Sequence, residues 1–511
     1  MPKSRLEEFR AAVDKYGSQR AAAKALGVHH QSLQRSLKRA EKAEPVLSGT
    51  KTDMFKQIPK RSGSDFIFMA VQNETQIHPE MWATLKQATK YFDAELVVSR
   101  FLYDRKNAHW KDKQGIDRYW FDPQIKNYVC DDLQQLAPDL YWCGNFNILP
   151  TAVDPTSGLD SYAGSASLII PHAKLQLRAC ATPPGIDAKH IYTTGALSQR
   201  NYIQAKAGQR AEWDHVFSAL YVHVDSDGKW FTRQLCADSE TGHIQDLDVI
   251  FTPSGWTTGN RIGALTPGDL HFDNVSHPVL RGIHDMIDTL RPEYLFGHDS
   301  YDQRRRNHHN MNDPHYLYRM FARGTESVAD EVRLTYQGLA GFARDFCKVV
   351  AVESNHDLAL TRWLKEQDYR RDPVNALFFL QLQTEVYKAI RDGENMSVLG
   401  RAMELLGLDT SHMQFLRGDE SFTRFGIRHD NHGDRGPNGS RGNIKNIART
   451  GVRHNIGHSH QAGVFNGVFM AGKSQEKAGY EKGPSAHSNS HIITYPTGKR
   501  CIVTSRGEQW R

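Results

Sequence analysis

Apolar positions at the start of the chain recur with the period of an α-helix. In residues 5–16 this period places four apolar side chains on one face: Leu6, Phe9, Ala12 and Val13. Gly17 interrupts the pattern, and Ser18 stands where the N-cap of a following helix is expected. The pattern therefore predicts two short helices separated by a sharp turn.

The second predicted helix leads into a segment that resembles a helix-turn-helix. Ala23 and Gly27 form an A-x-x-x-G spacing, in which a small residue allows two helices to touch and a glycine makes the turn. The next helix is predicted to expose side chains that can contact bases and phosphates: Gln31, Gln34, Arg35, Lys38 and Arg39. We interpret residues 1–45 as a small all-α DNA-binding domain. A basic helical hairpin for oligomer contacts is the alternative.

Residues 46–64 are polar, lack an apolar period and contain proline and glycine, which indicates a linker. Strand and helix patterns then alternate. Strands are predicted at FIFMAV (66–71) and AELVVSRF (94–101), an amphipathic helix over 79–92, and further strands within SLIIP, KLQLRA, FSALYVHV and DLDVIF. No motif in residues 65–260 has a catalytic spacing. This part is therefore either an accessory α/β region or the first part of a larger sandwich.

Composition narrows the class of protein. The chain has 511 residues, of which 39% are hydrophobic and 24% charged, so a large core is expected and wholesale disorder is not. The six cysteines form no C-x-x-C pair, which fits a reducing compartment and argues against a thiolate zinc site. The N-terminus lacks a signal-peptide pattern and no apolar run is long enough to span a membrane. A cytoplasmic protein is expected.

The 25 histidines crowd into the second half of the chain. From about residue 262 onward, predicted strands and helices alternate, and polar loops between them carry metal-ligand residue types. Five such loops follow one another: GDLH (268–271), GHDSYD (297–302), ESNHD (353–357), HDNHGD (429–434) and GHSH (457–460). Each loop alone is a weak signal, but their order is informative.

In this order the five loops resemble the motifs of the calcineurin-like metallophosphoesterases, which are D-x-H, G-D-x-x-D, G-N-H-D/E, a lone histidine and G-H-x-H. The resemblance covers roughly residues 262–475. His298 and Ser354 depart from the family pattern, and both changes leave the ligand-bearing side chains in place. The resemblance implies an α/β fold, an α/β/β/α sandwich, with residues 261–511 as the catalytic domain.

The family's ligands can be assigned to this sequence by motif. The resemblance implies two divalent ions, one held by Asp269, His271 and His460, the other by Asn355, His432 and His458, with Asp299 bridging them. A His-rich ligand set favours Mn²⁺, and Mg²⁺, Fe²⁺ and Zn²⁺ are alternatives. His356 is the expected general acid, and Asp302 is expected to orient it, although a helix N-cap is another role for this carboxylate.

Two metals with a histidine acid predict hydrolysis of a phosphoester. The basic N-terminal domain predicts DNA as the polymer, and the domain order resembles phage-encoded family members that degrade DNA. The expected function is therefore a DNA nuclease, in the host cytoplasm if the chain is phage-encoded. A phosphatase for proteins or small molecules is one alternative, and a DNA-binding regulator with an inactive catalytic domain is another. Homo-oligomer formation is left open. Arg304, Arg305 and Arg306 suggest either a phosphate-binding fork or a solvated basic face.

Overall fold

The computed structural model describes residues 5–28, 33, 64–103, 119–477 and 482–511. The predicted linker therefore lies outside the described residues as far as Ser64. The predicted DNA-contacting side chains also lie outside them: Gln31, Gln34, Arg35, Lys38 and Arg39. The described residues fall into two compact units. The N-terminal helices group with Leu159–Gly164, and the remaining residues form the large unit.

The N-terminal unit contains the two predicted helices, α1 (Arg5–Tyr16) and α2 (Gln19–Ala25). The Ser18 hydroxyl accepts a hydrogen bond from the Ala21 N–H at 3.2 Å, which confirms the predicted N-cap. A small apolar cluster lies between the helices: Ala12, Ala22, Ala23 and Leu33, with Val13 and Val28 beside them. Ala23 of the A-x-x-x-G segment therefore lies in this contact, whereas Gly27, with φ 63°, lies in the turn after α2.

Helices in the large unit are concentrated in its second half. They are α3 (Pro79–Phe92), α4 (Lys206–Trp213), α5 (His277–Leu290), α6 (Pro314–Ala322), α7 (Val328–Phe342), α8 (Leu358–Glu366), α9 (Ala376–Asp392), α10 (Val398–Leu405) and α11 (Ile444–Ala448). Short 3₁₀ turns lie at Pro123–Tyr128, Phe272–Asn274, Arg304–Arg306, Tyr369–Arg371 and Pro437–Gly439.

The strands are short and spread along the whole unit. They are β1 (Ser64–Gln72), β2 (Glu95–Phe101), β3 (Leu133–Ala137), β4 (Leu140–Cys143), β5 (Ser167–Ile170), β6 (Leu177–Cys180), β7 (Lys189–Thr193), β8 (Ser218–Val224), β9 (Trp230–Cys236), β10 (Ile244–Asp246), β11 (Val249–Thr252), β12 (Gly255–Thr257), β13 (Ala264–Thr266), β14 (Tyr294–His298), β15 (Lys348–Val352), β16 (Met413–Leu416), β17 (Thr423–Arg424), β18 (Ile427–Arg428), β19 (His454–Ile456), β20 (Gly463–Phe465), β21 (Val468–Met470), β22 (Ser490–Thr494) and β23 (Arg500–Thr504).

These strands form mixed sheets. A six-stranded sheet has the order β16-β15-β14-β13-β22-β23, and a four-stranded sheet has the order β2-β1-β8-β9. A ten-stranded sheet runs β17-β18-β19-β21-β20-β6-β7-β5-β4-β3, and β10-β11-β12 make a small antiparallel sheet. The ten-stranded sheet thus combines strands from residues 133–193 with strands from residues 423–470. The chain is a mixed α/β protein, as the sequence predicts.

The ten-stranded sheet packs face to face on the other two large sheets. Phe68 of the four-stranded sheet stacks on Trp142 of the ten-stranded sheet at 4.7 Å between ring centroids. Asn455 donates a 2.9 Å hydrogen bond to Thr494 of the six-stranded sheet. The four- and six-stranded sheets lie edge to edge, since the Ile502 N–H donates to the Gln234 side chain at 2.7 Å. Two sheet layers therefore share one apolar core.

Helices pack on the outer face of the layer formed by the four- and six-stranded sheets, and one short helix packs on the ten-stranded sheet. Side chains alternate along β1, where Phe66 and Phe68 enter the core between the layers while Ile67 and Met69 pack against α3. Helices α5, α7, α8, α9 and α10 share a second core with the six-stranded sheet. The short helix α11 packs on β19 and β21 through Ile447. No helix in the described part of the chain is long and apolar enough to cross a membrane.

Helix α3 has the predicted bounds of 79–92 because both ends carry stop signals. His78 caps its first turn and Asp93 leaves it with φ 51°. Two predicted strands differ from the structure. KLQLRA is a strand only from Leu177, because the Thr193 hydroxyl hydrogen-bonds the backbone around Lys174. DLDVIF is broken by a turn at Leu247, whose φ is 54°.

Candidate metal centre

Three neighbouring parallel strands direct the first three polar loops to one edge of the six-stranded sheet. Strands β13, β14 and β15 run parallel to one another. The loops after their carboxyl ends carry Asp269, Asp299 and Asn355. The first two loops are joined directly, because the His271 N–H donates a 2.7 Å hydrogen bond to the Asp299 carbonyl. This arrangement brings ligand types from distant positions together.

The ten-stranded sheet supplies the other side of the site. Its strands β18 and β19 are parallel, and the loops after them carry His432, His458 and His460. The Gly457 N–H donates to the His432 carbonyl at 2.7 Å, and the Asp269 N–H donates to the Gly472 carbonyl at 3.0 Å. The candidate site therefore lies where the carboxyl ends of strands from both layers meet.

One group of four side chains is compact enough to hold a metal ion. The ligand atoms of Asp269, His271, Asp299 and His460 lie within 4.8 Å of one another, and all four residues are buried. The Nε2 atoms of His271 and His460 are 3.1 Å apart. Since histidine nitrogens lie about 2.0–2.1 Å from a bound transition-metal ion, two nitrogens on one ion are about 3 Å apart. The separation fits that value.

A second set of ligand types lies beside this group and shares Asp299 with it. His432 Nε2 is 3.2 Å from Asp299 Oδ2, which is also 3.5 Å from His271 Nε2. His458 Nδ1 is 3.1 Å from Asn355 Oδ1, and the rings of His432 and His458 are 5.2 Å apart. All seven side chains assigned as ligands from the sequence are thus brought together, with Asp299 between the two sets.

The two central carboxylates have the chemistry that a cation would satisfy. Asp269 is 0% exposed and Asp299 is 1% exposed. None of their four oxygens accepts a well-aligned hydrogen bond within the described residues, although His432 Nε2 lies 3.2 Å from Asp299 Oδ2. A buried carboxylate without such bonds costs several kcal/mol unless a positive charge offsets it. Burial and the Asp299 charge raise the pKa of Asp269 to about 7. The residues therefore fit a divalent cation, and this cluster can hold one.

The Asp299 charge also acts on its histidine neighbour. Burial alone lowers the pKa of His432, but the Asp299 carboxylate raises it to about 9. The same contact holds the pKa of Asp299 well below its usual range despite its burial. The Asp299 carboxylate and the His432 ring therefore each stabilise the charged form of the other.

The backbone of the ligand loops is held in an uncommon conformation. His271, Asp299, His458 and His460 have φ values of 44°, 46°, 75° and 57°. Non-glycine residues adopt this left-handed region rarely, at about 1–3 kcal/mol each, and such residues cluster at functional sites. Gly457 leaves room for a ligand, because a Cβ at this position would lie 2.1 Å from Asp269 Oδ1 and would collide with it.

His356 and Asp302 lie together at the margin of this cluster. Asp302 Oδ1 is 2.5 Å from His356 Nδ1 and 2.9 Å from His271 Nδ1. Burial lowers the pKa of His356, but the charges of Asp299 and Asp302 outweigh it and raise the pKa to about 10. His356 is half-buried, whereas Asp302 is buried. Asp302 caps no helix in the described residues and instead holds two histidine rings.

Sequence reasoning missed several side chains near the site. Asp273, two residues after His271, forms a 2.8 Å ion pair with Arg304, which also lies 3.5 Å from Asp302. His298 is fully buried, with its ring stacked on His432 at 5.5 Å and its pKa lowered by burial to about 3. Asp273 could have been found from the sequence, because it lies only two residues after the candidate ligand His271. No local pattern predicts that Arg304 is its partner.

The arginines after the second motif form neither a phosphate fork nor a solvated face. Arg306 is 6% exposed and pairs with Asp372 and Glu326 at 2.7 and 3.2 Å. Arg305 donates to the Ser327 carbonyl at 2.9 Å. Neither predicted role fits Arg305 and Arg306, because carbonyl and acidic partners hold their side chains in place. Arg304 differs from them, since its ion pair places it beside the candidate site.

The chain is similar over most of its length to a known phage protein. It is 34% identical over 475 residues to Protein A1 of Escherichia phage T5, a match that covers 90% of this chain and 85% of that protein. No family model matches the chain. No solved structure matches it either. The similarity includes the region that forms the candidate metal centre.

Proposed function

The chain belongs to the same family as Protein A1 of Escherichia phage T5, and we propose that it is a phosphodiesterase that hydrolyses DNA with two divalent metal ions. The observation that carries this proposal is the position of Asp299. This carboxylate lies between two sets of ligand types, its oxygens have no well-aligned hydrogen bond within the described residues, and it is buried. A bridging carboxylate of this kind is a feature of two-metal hydrolytic sites.

We further propose that the site is of the calcineurin-like type. Five ligand loops occur in the order that this superfamily uses, and they come from the carboxyl ends of strands in two packed sheet layers. Helices on the outer faces of both layers support the same assignment. The intact ligand set argues against a regulator with an inactive catalytic domain, because such a domain has no reason to keep seven converging ligands.

Divalent cations held by these candidate ligands would supply an acidified water and positive charge for the phosphate oxygens. The chain's own residues do the rest. Asp302 accepts a hydrogen bond from His356 Nδ1 and keeps that ring protonated. His356 Nε2 is then the nitrogen that can give a proton to the leaving oxygen. Arg304 Nη2 lies 3.5 Å from the other carboxylate oxygen of Asp302, Oδ2, and so limits rotation of the Asp302 carboxylate.

DNA is proposed as the substrate on separate grounds. Residues 1–45 carry the helix-turn-helix pattern and several basic side chains, and such a domain holds the chain on a polyanion. Membership in a phage protein family fits a role inside the host cell.

Digestion of linear and closed circular DNA of one sequence tests the proposal. Release of nucleotides from linear DNA alone indicates an exonuclease, and nicking of circles indicates an endonuclease. Activity only on small phosphoesters favours a phosphatase and contradicts the proposal.

Metal dependence is the first expected result. Treatment with EDTA should abolish hydrolysis of DNA and of a small aryl phosphodiester alike, and Mn²⁺ should restore it better than Ca²⁺. The reason is the histidine-rich ligand set, which suits a transition metal better than an ion that prefers oxygen ligands. Turnover after dialysis against each metal measures the effect. Full hydrolysis in EDTA would rule out a metal-dependent site.

A second expected result separates recruitment from chemistry. The Arg35→Ala/Arg39→Ala double variant should weaken DNA binding and reduce its salt dependence, because phosphate contacts are lost. Hydrolysis of a small aryl phosphodiester should stay at the rate of the parent chain, because these arginines are not among the candidate ligands. Fluorescence anisotropy at several salt concentrations measures binding. Unchanged affinity and salt slope would assign residues 1–45 to assembly.

A further inference from the structure

A basic cavity of about 580 Å³ lies outside the cluster of candidate metal ligands. It is bordered by α4, α11, the hairpin of β20 and β21, and the turn before β23. Asp214 is the one acidic side chain that lines it. Seven basic side chains line it as well: Lys174, Arg210, Lys445, Arg449, Arg453, Lys499 and Arg500. We name this cavity the basic groove. None of the seven candidate metal ligands lines it.

Ion pairs balance only part of this charge. Lys174 and Arg210 both contact the Asp214 carboxylate at 2.9 Å, and Lys445 contacts Asp154 at 2.8 Å. Within the described ranges no carboxylate pairs with the other four basic side chains, which are Arg449, Arg453, Lys499 and Arg500. Uncompensated positive charge in a concave surface attracts an anion.

Arg500 is a buried cation without a negative partner among the described residues. It is 4% exposed, its guanidinium donates three hydrogen bonds to neutral oxygens, and it lies 4.1 Å from the ring centroid of Phe469. Burial and the nearby charge of Arg453 lower the pKa of Arg500 to about 9. The floor of the groove is therefore positive at neutral pH and is stabilised when an anion approaches.

Aromatic side chains stand beside the charge. Trp213, the last residue of α4, is 84% exposed, which is a large apolar surface to leave in water. Phe465 also lines the groove, with Lys445 Nζ 5.5 Å from its ring centroid. Basic side chains that follow a backbone, together with an aromatic face on which bases stack, are the features of sites for single-stranded nucleic acid.

The size and position of the groove restrict the kind of ligand that it can bind. Its volume lies within the range of about 300–1,000 Å³ that holds one small ligand, so it admits a nucleotide or two of a strand and not a duplex. Val452 lines both this groove and an adjoining cavity of about 320 Å³, which reaches the candidate ligand His432. The groove therefore adjoins the cavity beside the metal centre through one shared wall residue.

We propose that the basic groove binds a single-stranded segment of nucleic acid. Arg449, Arg453 and Lys499 contact its phosphates, Arg500 supplies positive charge beneath them, and Trp213 stacks on a base. This binding requires no hydrolysis and no metal ion. It is therefore distinct from the proposed cleavage, and each can fail without the other.

The test measures binding of a fluorescent single-stranded oligonucleotide to the full chain in EDTA. The Arg449→Gln/Arg453→Gln/Lys499→Gln variant should bind more weakly, with a salt slope reduced by about 2, since each contact to a single strand contributes roughly 0.7. Trp213→Ala should weaken binding about 5- to 150-fold, the value of one stacked base. The matched control is Arg319→Gln/Arg323→Gln, two exposed arginines on and just after α6 with the same spacing, and it should bind like the parent.

A second measurement locates the strand. Photocrosslinking of an oligonucleotide that contains 5-iododeoxyuridine should place an adduct on the peptide with Trp213 or Phe465. Absence of binding in EDTA, equal losses in the control variant, or adducts only elsewhere would each overturn the proposal. Duplex DNA that competes as well as the single strand would overturn it too. A parent chain that binds the oligonucleotide but hydrolyses no DNA in Mn²⁺ would instead contradict the proposed nuclease function.

Discussion

The Asp299→Asn variant should lose nearly all hydrolytic activity and most of its bound metal. The introduced amide would keep the shape of the side chain but would lack the negative charge, and its NH₂ group would face His432 and His271, the two histidines nearest the carboxylate. Both sets of ligands lose their shared oxygen in one step. The loss should exceed the about 10–100-fold effect of removing a partner that only supports a ligand.

Metal content and turnover should be measured together on this variant. His460→Ala and Asn355→Ala each remove a ligand from one set only, so each should retain more metal than Asp299→Asn. Asp345→Asn is the matched control, because this carboxylate lies ahead of β15, at the end of the strand away from the site. An Asp299→Asn variant that binds metal like the parent chain would mean that Asp299 does not bridge.

The His356→Ala variant should keep its metal while its turnover on DNA falls about 10²–10⁴-fold, the usual contribution of a general acid. The structure makes the metal measurement decisive. His356, Asp302 and His271 also form a group whose ligand atoms lie within 4.8 Å of one another, so His356 has the geometry of a ligand as well. Loss of metal in this variant would assign it to that role.

The leaving group provides a second readout for His356. A nitrophenolate leaves with little help, so hydrolysis of an activated aryl phosphodiester should fall much less than hydrolysis of DNA. His412→Ala serves as the control, since this histidine packs against Tyr336, 6.3 Å between ring centroids, and is not among the candidate ligands. An equal fall on both substrates would show that His356 does not protonate the leaving oxygen.

Local patterns in the sequence predict the pieces of this structure well. Helix α3 and strands β1, β2 and β8 lie where apolar spacing places them, because one buried face dictates each pattern. The ligand loops could be found for a related reason. Each keeps its ligands within a few residues of one another and directly after a strand, so a short motif carries the signal.

Long-range pairing could not be predicted in the same way. Strand β6 pairs with β20, and no apolar period encodes a partner so far along the chain. The ion pair between Asp273 and Arg304 depends on that packing, as do the partners of Arg306. The left-handed backbone at His271 and His460 was likewise hidden, because only a small fraction of histidines adopt that conformation even though the residue type is enriched there. Tertiary contacts dictate all of these features.

The distance along the chain between the two histidines of one ligand group affects when the site can exist. His271 and His460 are 189 residues apart. A ribosome adds about 5–20 residues per second, so His460 is made about 10–40 s after His271. During that interval the fifth ligand loop is incomplete, and the fourth is missing until residue 434 has been added. A chain whose synthesis has not reached His460 therefore lacks a complete ligand set, and the proposed hydrolysis can begin only after synthesis has passed the last loop.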